Sequence, residues 1–295
     1  MANRLRLKGR IWILLLPRLW AVNRYGRGSV KEPGGPIVSL TSYGARARTV
    51  YLTIESIARG HRLPSRLILW IDDNVLMGKL PKELIRLARR GLEIRSCVNF
   101  GPHKKYYPYI ESHDCFTVPL VTADDDVFYP RFWLKELVAA HKEFPDCVNC
   151  YRARVMMLRD GKIAPYREWP LCESSDPSCR FVATGVSGVI YPPAFLRTLK
   201  VAGRAFRGCC PKADDLWLHV QALRAGYKIR QLRSKALDCL QVPGSQESRL
   251  GSDNYDAGGN DRQIESTYTA ADIIKVHEEG MPLLDACYGP WNGLV

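Results

Sequence analysis

Short continuous apolar runs along this chain are interleaved with stretches whose apolar positions recur at helical spacing, and the switches between them mark out its elements. The run Ile37-Val-Ser-Leu-Thr41 is short, apolar and β-branched, as a buried strand is. Val50-Tyr-Leu-Thr-Ile-Glu-Ser-Ile-Ala58 repeats its apolar positions at helical spacing. Arg66-Leu-Ile-Leu-Trp-Ile71 reads as a second strand, Lys82 to Arg90 as a helix, and Leu92-Glu-Ile-Arg-Ser-Cys97 as a third strand. A fourth apolar run, Phe116 to Val121, leads straight into three consecutive carboxylates, Asp124, Asp125 and Asp126. Tyr129-Pro130 ends that segment, and a helical pattern opens at Arg131. Strands and helices alternating in this way predict an α/β fold with a mostly parallel sheet flanked by helices. In such sheets ligands gather beyond the carboxyl ends of the strands, which is where the triplet falls.

The two ends of the chain depart from this rhythm. Residues 1–30 are basic and amphipathic, and Lys31-Glu-Pro-Gly-Gly-Pro36 reads as a linker to a single domain over 36–295. The apolar run from Ile11 to Trp20, interrupted by Pro17-Arg18, is shorter than the ~20 residues that span a bilayer, and no small-residue cleavage site follows it. Its Trp and Leu interleaved with Arg and Lys suit a helix lying on an anionic membrane surface, or one packed on the domain through its apolar face. Within the domain, 36–130 forms one half and 131–295 the other; Leu216 to Leu223 is an amphipathic helix and 244–265 a long polar loop of the kind that forms lids.

Composition narrows the partners. A chain of 295 residues with 46% hydrophobic and 25% charged residues buries a sizeable core, but its formal charge of +13 calls for an anionic partner. No nucleic-acid-binding signature is present, so phosphorylated substrates and anionic lipid are the classes left in view. The absence of Gly-x-Gly-x-x-Gly and of a P-loop sequence argues against dinucleotide oxidoreductases and P-loop kinases. The ten cysteines read as reduced thiols of a cytosolic protein. Cys147-Val-Asn-Cys150 has metal-like spacing; a zinc site needs a second pair, which Cys172, Cys179, Cys209 or Cys210 could supply, although no paired spacing recurs.

Three adjacent acids repel one another unless a cation neutralises them. Their hard oxygens suit Mg²⁺ or Mn²⁺, which share their remaining positions with water and phosphates; a solvated acidic turn is the alternative.

Beyond these physical arguments, an ordered set of motifs resembles the GT-A-fold nucleotide-sugar glycosyltransferases of bacterial polysaccharide clusters. The set runs through Val38-Ser-Leu-Thr-Ser-Tyr-Gly-Ala-Arg46, Ile68-Leu-Trp-Ile-Asp-Asp73, Gly101-Pro-His-Lys-Lys-Tyr-Tyr-Pro108, the Asp triplet, Ala183-Thr-Gly-Val-Ser-Gly-Val-Ile-Tyr-Pro192 and Cys210-Pro-Lys-Ala-Asp-Asp-Leu-Trp217. The resemblance covers about residues 36 to 265. It implies a GT-A-like sheet, a nucleotide-diphosphate sugar donor such as a UDP-sugar, a divalent cation, and a glycan or lipid-linked saccharide acceptor in envelope polysaccharide synthesis. The implied place of work is the cytoplasm, with peripheral contact to the inner face of the membrane.

The resemblance also assigns residues. Thr41, Tyr43 and Arg46 fall in the loop that holds base and ribose, where Tyr43 can stack and Arg46 offers a donor fork to phosphate. Asp72 and Asp73 end the second strand, where a carboxylate can accept from a uracil imide; a helix N-cap serves equally well. Lys105, favoured over Lys104, is implied to offset diphosphate charge. Asp126 is implied to touch the metal, Asp124 the metal or ribose, and Asp125 to orient the loop. Thr184-Gly-Val-Ser-Gly188 resembles the small-residue loop lining the sugar and acceptor pocket. If the reaction inverts, Asp215, with Asp214 behind it, is the general base; His277 is a further implied metal ligand. Two other readings remain open: a sugar-1-phosphate nucleotidyltransferase, and a non-catalytic protein that binds membrane surfaces or polyanions.

Overall fold

The computed structural model describes residues 2–244 and 258–279. The apolar runs become strands and the periodic runs helices, in the order α1 (Ala2–Tyr25), β1 (Ile37–Thr41), α2 (Val50–Ala58), β2 (Arg66–Ile71), α3 (Asn74–Gly78), α4 (Lys82–Arg89) and β3 (Leu92–Ser96). There follow α5 (Tyr107–Glu111), β4 (Leu120–Ala123), β5 (Val127–Phe128), α6 (Trp133–Glu143), β6 (Cys147–Cys150), β7 (Ala153–Val155), β8 (Leu158–Arg159) and β9 (Lys162–Ile163). The remainder is β10 (Phe181–Ala183), β11 (Val189–Tyr191), α7 (Pro193–Ala202), α8 (Phe206–Cys209), α9 (Asp214–Arg224), β12 (Lys228–Gln231), β13 (Leu240–Gln241), α10 (Gly259–Thr267) and α11 (Ala270–Glu279).

Seven strands form one mixed, mostly parallel sheet in the order β12-β6-β11-β4-β1-β2-β3. β11 runs against both its neighbours, β4 and β6, while the other pairs are parallel. The chain winds outward from β1 through β2 to β3, then returns to lay β4 on the other side of β1. The strand order therefore reverses between β1 and β4, and their carboxyl ends flank a crevice of the kind that binds ligands in open α/β sheets.

Both faces of the sheet are covered, which is why its central strands are apolar almost without interruption. Alternate residues take opposite sides: Ile68 and Trp70 join one buried cluster, with Tyr107 of α5, Phe195 of α7 and Trp217 of α9. Leu67, Leu69 and Ile71 join the other, with Ile54 of α2, Leu84 and Leu87 of α4 and Leu137 of α6.

Several boundaries differ from the sequence reading. The fourth strand begins at Leu120 rather than Phe116, because Pro119 has no N–H to give to a ladder. Its carbonyl instead accepts from the Ile37 amide at 3.0 Å and sets the register of β4 on β1. In the polar stretch 244–265, residues 245–257 lie outside the described residues, but Gly259–Thr267 is the helix α10, not loop. Its sparse apolar residue Ile264 is buried together with Gln263 and Thr267, and packing against α8 and α9 overrides the polar composition. Cys147 and Cys150 stand three apart on a strand and so point to opposite faces, which breaks the metal-like spacing.

Of the two dispositions foreseen for the N-terminal segment, packing on the domain is present. Leu19 of α1 is buried with Leu52, Phe128 and Val242, while Trp12, Leu15 and Leu16 pack at the edge of that cluster. No helix among the described residues is long and apolar enough to cross a membrane.

Candidate active site

The loops that follow β1 and β4 meet across the crevice. Ser42, one residue beyond β1, donates its hydroxyl to Asp125 at 2.6 Å. Arg46, in the tight turn Gly44–Arg48, donates Nη1 to the same carboxylate at 3.1 Å and lies 3.5 Å from Asp126. Thr53 of α2 donates its hydroxyl to the Asp125 carbonyl at 3.0 Å. Asp125 is thus the buried member of the triplet, 5% exposed, and it fastens the β4 loop to the β1 loop. Burial pushes its carboxyl above the ordinary range, against the pull of Ser42 and Arg46. Asp126 is raised too, by burial first and then by Asp124 and Asp125.

Asp124 takes a different cation as its partner. Its backbone N–H donates to the Tyr129 hydroxyl at 2.8 Å, and its carboxylate forms an ion pair with Lys105. Lys105 ends the turn Gly101–Lys105, in which Gly101 takes a φ of +59°. His103 pins that turn to the segment before α9. It is fully buried, stacks on Phe206 with ring centroids 4.0 Å apart, and bonds the Cys210 carbonyl at 2.7 Å and the Tyr106 hydroxyl at 2.8 Å. Burial lowers its pKa and keeps it neutral.

The first turn of α9 brings in Asp214 and Asp215. The Gly185 N–H, in the turn between β10 and β11, donates to Asp215 at 2.8 Å. A Cβ at Gly185 would sit 3.3 Å from both the Asp215 carboxylate and the Lys105 ammonium, so the bare backbone is what lets three segments approach. Burial pulls the Lys105 pKa down, but Asp124, Asp214 and Asp215 outweigh it and hold the ammonium charged. Asp215 is pushed up to about 8, by burial and then by Asp214. The arrangement joins carboxylates and cations from four places in the sequence at the ends of β1 and β4.

No protein-family model matches this chain. No curated protein sequence matches it either. Among solved structures it is similar to S. aureus TarS, at 12% identity and a TM-score of 0.46 over 82% of this chain and 42% of that one. The chain thus spans less than half the length of that protein. A structure of S. aureus TarS 1–349 gives 14% identity and a TM-score of 0.44, over 85% of this chain and 72% of the other. A CMP:2-keto-3-deoxy-manno-octonic acid synthetase complexed with CTP gives 12% identity and a TM-score of 0.41, over 75% and 92%.

Of the residues singled out from the sequence, Arg46, Lys105, Asp124, Asp125, Asp126, Asp214 and Asp215 lie in this connected network. Tyr43 borders it, with the Arg46 guanidinium 5.4 Å and the Lys104 ammonium 5.6 Å from its ring centroid. Thr41 belongs to the sheet: its hydroxyl donates to the Trp70 carbonyl at 3.1 Å. Asp72 pairs with Lys104 at 2.6 Å, and both are largely buried. Asp73 is the N-cap of α3, accepting from the amides of Val75 at 2.9 Å and Leu76 at 3.0 Å. His277 is not brought to the triplet. It is exposed in the last turn of α11, whose neighbouring Lys275 and Glu278 share a cavity with Leu223 and Gly226, at the end of α9 opposite Asp215.

Sequence reasoning singled out the loop that holds Gly185 but missed Ser42 and His103 as site residues, although both lie in motifs of the ordered set; His103 acts by a buried contact 107 residues away, which no local pattern reveals.

Among the described residues no three His, Cys, Asp or Glu side chains converge as a protein-only metal cage. Asp124 and Asp126 do supply two partly accessible carboxylates, at 12% and 17% side-chain exposure. That donor count fits Mg²⁺ or Mn²⁺ held jointly by protein and substrate phosphates.

Proposed function

We propose that this protein is a glycosyltransferase that takes a nucleotide-diphosphate sugar, a UDP-sugar in the first instance, and transfers its sugar to a glycan or lipid-linked saccharide of an envelope polymer. The observation that carries this reading is the joining of Asp124–Asp126 with Ser42, Arg46 and Lys105 at the reversal of strand order between β1 and β4. Cations interleaved with carboxylates there suit a diphosphate that arrives with a divalent ion.

Asp126 and Asp124 would hold that ion, and it would supply Lewis-acid stabilisation of the leaving diphosphate. The chain's own groups do the rest. Lys105, which Asp124 pairs with and which Asp124 and Asp214 hold charged, turns to the diphosphate as charge builds on it. Arg46 braces the loop through Asp125, and Tyr43 offers a ring face to the base. In an inverting reaction the acceptor oxygen bonds to the anomeric carbon as the carbon–oxygen bond to phosphate breaks; the nucleoside diphosphate leaves with the electron pair, and Asp215 takes the hydroxyl proton. The Gly185 N–H, donating to one Asp215 oxygen, leaves the other for that proton.

The test is calorimetric titration of UDP, with and without Mn²⁺, into the native protein and Asp126→Asn. Metal-dependent binding that the substitution abolishes supports the reading. Failure to bind UDP, GDP and CDP alike overturns it, as does release of pyrophosphate from a nucleoside triphosphate in the presence of a sugar phosphate.

A further inference from the structure

α1 has two faces, and the fold uses one of them. On the inner face, at intervals of three and four residues, stand Trp12, Leu15, Leu16, Leu19 and Asn23. The Asn23 amide donates to Glu55 at 3.1 Å and to the Glu83 carbonyl at 3.2 Å, and its oxygen accepts from Arg86 at 3.1 Å. The Trp12 indole donates to the Gln241 carbonyl at 3.2 Å. The outer arc carries Ile13 and Leu14, 72% and 76% exposed, and Trp20 and Tyr25, 49% and 71% exposed. Pro17, Arg18 and Arg24 are exposed beside them. A contiguous apolar and aromatic arc on an already anchored helix marks an interaction surface.

Charge selects the occupant. Residues 1–31 hold eight Lys and Arg and no Asp or Glu. A second copy of this helix would meet the first with like charge. An anionic bilayer offers both complements, an acyl boundary for Ile13, Leu14 and Trp20 and headgroup phosphates for arginine, to a helix too short in apolar residues to cross.

We infer that the outer arc of α1 is a docking surface for anionic lipid bilayers. Ile13, Leu14 and Trp20 enter the headgroup–acyl boundary, and Arg18 and Arg24 pair with headgroup phosphates. Because the inner face is locked to the domain, docking fixes how the domain sits on the bilayer. It also sets the crevice near the membrane, since α1 rests on Gln241 and Val242, and the Val242 N–H donates to the Asp126 carbonyl at 2.7 Å. The inference stands independently of the nucleotide reading.

The experiment is co-sedimentation of the full chain with vesicles of phosphatidylcholine alone and of phosphatidylcholine mixed with phosphatidylglycerol. Binding to the mixed vesicles alone is expected. The double variant Ile13→Asp, Leu14→Asp should lose at least about tenfold in affinity, as two apolar side chains no longer leave water. Arg18→Gln and Arg24→Gln should each cost about fivefold, less in high salt. All four positions are exposed, so thermal unfolding of the variants should match the parent. A blue shift of fluorescence on adding mixed vesicles, lost in Trp20→Phe, reports entry of that ring. Equal binding of every variant would mean that the overall charge, not this arc, holds lipid, and would overturn the inference. So would absence of binding, or a lipid-free dimer that Ile13→Asp, Leu14→Asp abolishes. Asp126→Asn should bind vesicles as the parent does, which keeps this outcome separate from that of the nucleotide titration.

Discussion

The Ser42 hydroxyl, one residue past β1, donates a 2.6 Å hydrogen bond to the buried carboxylate of Asp125, two residues past β4. This contact spans 83 residues of sequence and closes the crevice at which the strand order reverses. A bond from a hydroxyl to a buried carboxylate is charge-assisted, so Ser42→Ala should cost about 1.5–3 kcal/mol of stability. Urea unfolding measures it. Ser42→Ala on an Asp125→Asn background should cost much less, since the charge that the hydroxyl stabilises is gone; equal costs on both backgrounds would separate Ser42 from Asp125.

The pH dependence of stability follows from Asp215. Burial and then Asp214 raise its carboxyl from 3.8 to about 8. Between those values the native state holds a proton that the unfolded chain has released, so stability falls as pH rises through the window. Asp215→Asn should flatten that slope in unfolding curves taken across the window. With Asp215 as base, turnover should rise with pH through its folded pKa, and Asp214→Asn should move the midpoint of that rise down.

In the proposed donor site Lys105 offsets the charge of the diphosphate. Lys105→Met should weaken UDP binding in the presence of Mn²⁺ by about tenfold to a hundredfold, the equivalent of about 1.5–3 kcal/mol for a charge-assisted bond. Lys105→Arg should not restore it. The Lys105 ammonium sits so near the Gly185 backbone that even a Cβ there would stand 3.3 Å away, and a planar guanidinium has no room to turn. Calorimetry on both variants decides the matter.

Gly188 has a φ of +103°, and a Cβ there would lie 2.6 Å from the Trp133 indole nitrogen. That nitrogen donates to the Ser187 carbonyl at 2.7 Å and holds the β10–β11 turn in place. Gly188→Ala should therefore strain the backbone and displace a buried ring, lowering the unfolding temperature by several degrees or preventing folding. Gly208→Ala is the control: its Cβ would meet nothing within 4 Å and its position is helical, so stability should hold or rise slightly.

His277 stands at the far end of α9 from the acidic residues. His277→Ala should leave Mn²⁺-dependent nucleotide binding unchanged. A loss of metal dependence on this substitution would show that the C-terminal helix folds back on the site.

The sequence by itself determined the elements and the class of fold. Continuous apolar runs placed β1 and β2, and helical spacing placed α2, to the residue, because a strand buried on both faces reads as an unbroken apolar run. It also determined where acids concentrate, at the end of β4 and at the start of α9. It could not say which acids would serve chemistry. Asp72, Asp73 and Asp124 look alike on the page, yet Asp73 caps a helix, Asp72 neutralises Lys104, and Asp124 meets Lys105 in the crevice. Those fates depend on contacts between distant segments: His103 with Cys210, Gly185 with Asp215, Ser42 with Asp125. α10 shows the same limit, since its polar composition reads as loop and only burial of Ile264 against α8 and α9 makes it a helix. Local periodicity is encoded residue by residue, whereas the partner of a buried charge is chosen by the chain's path through the sheet, and only the tertiary structure decides that.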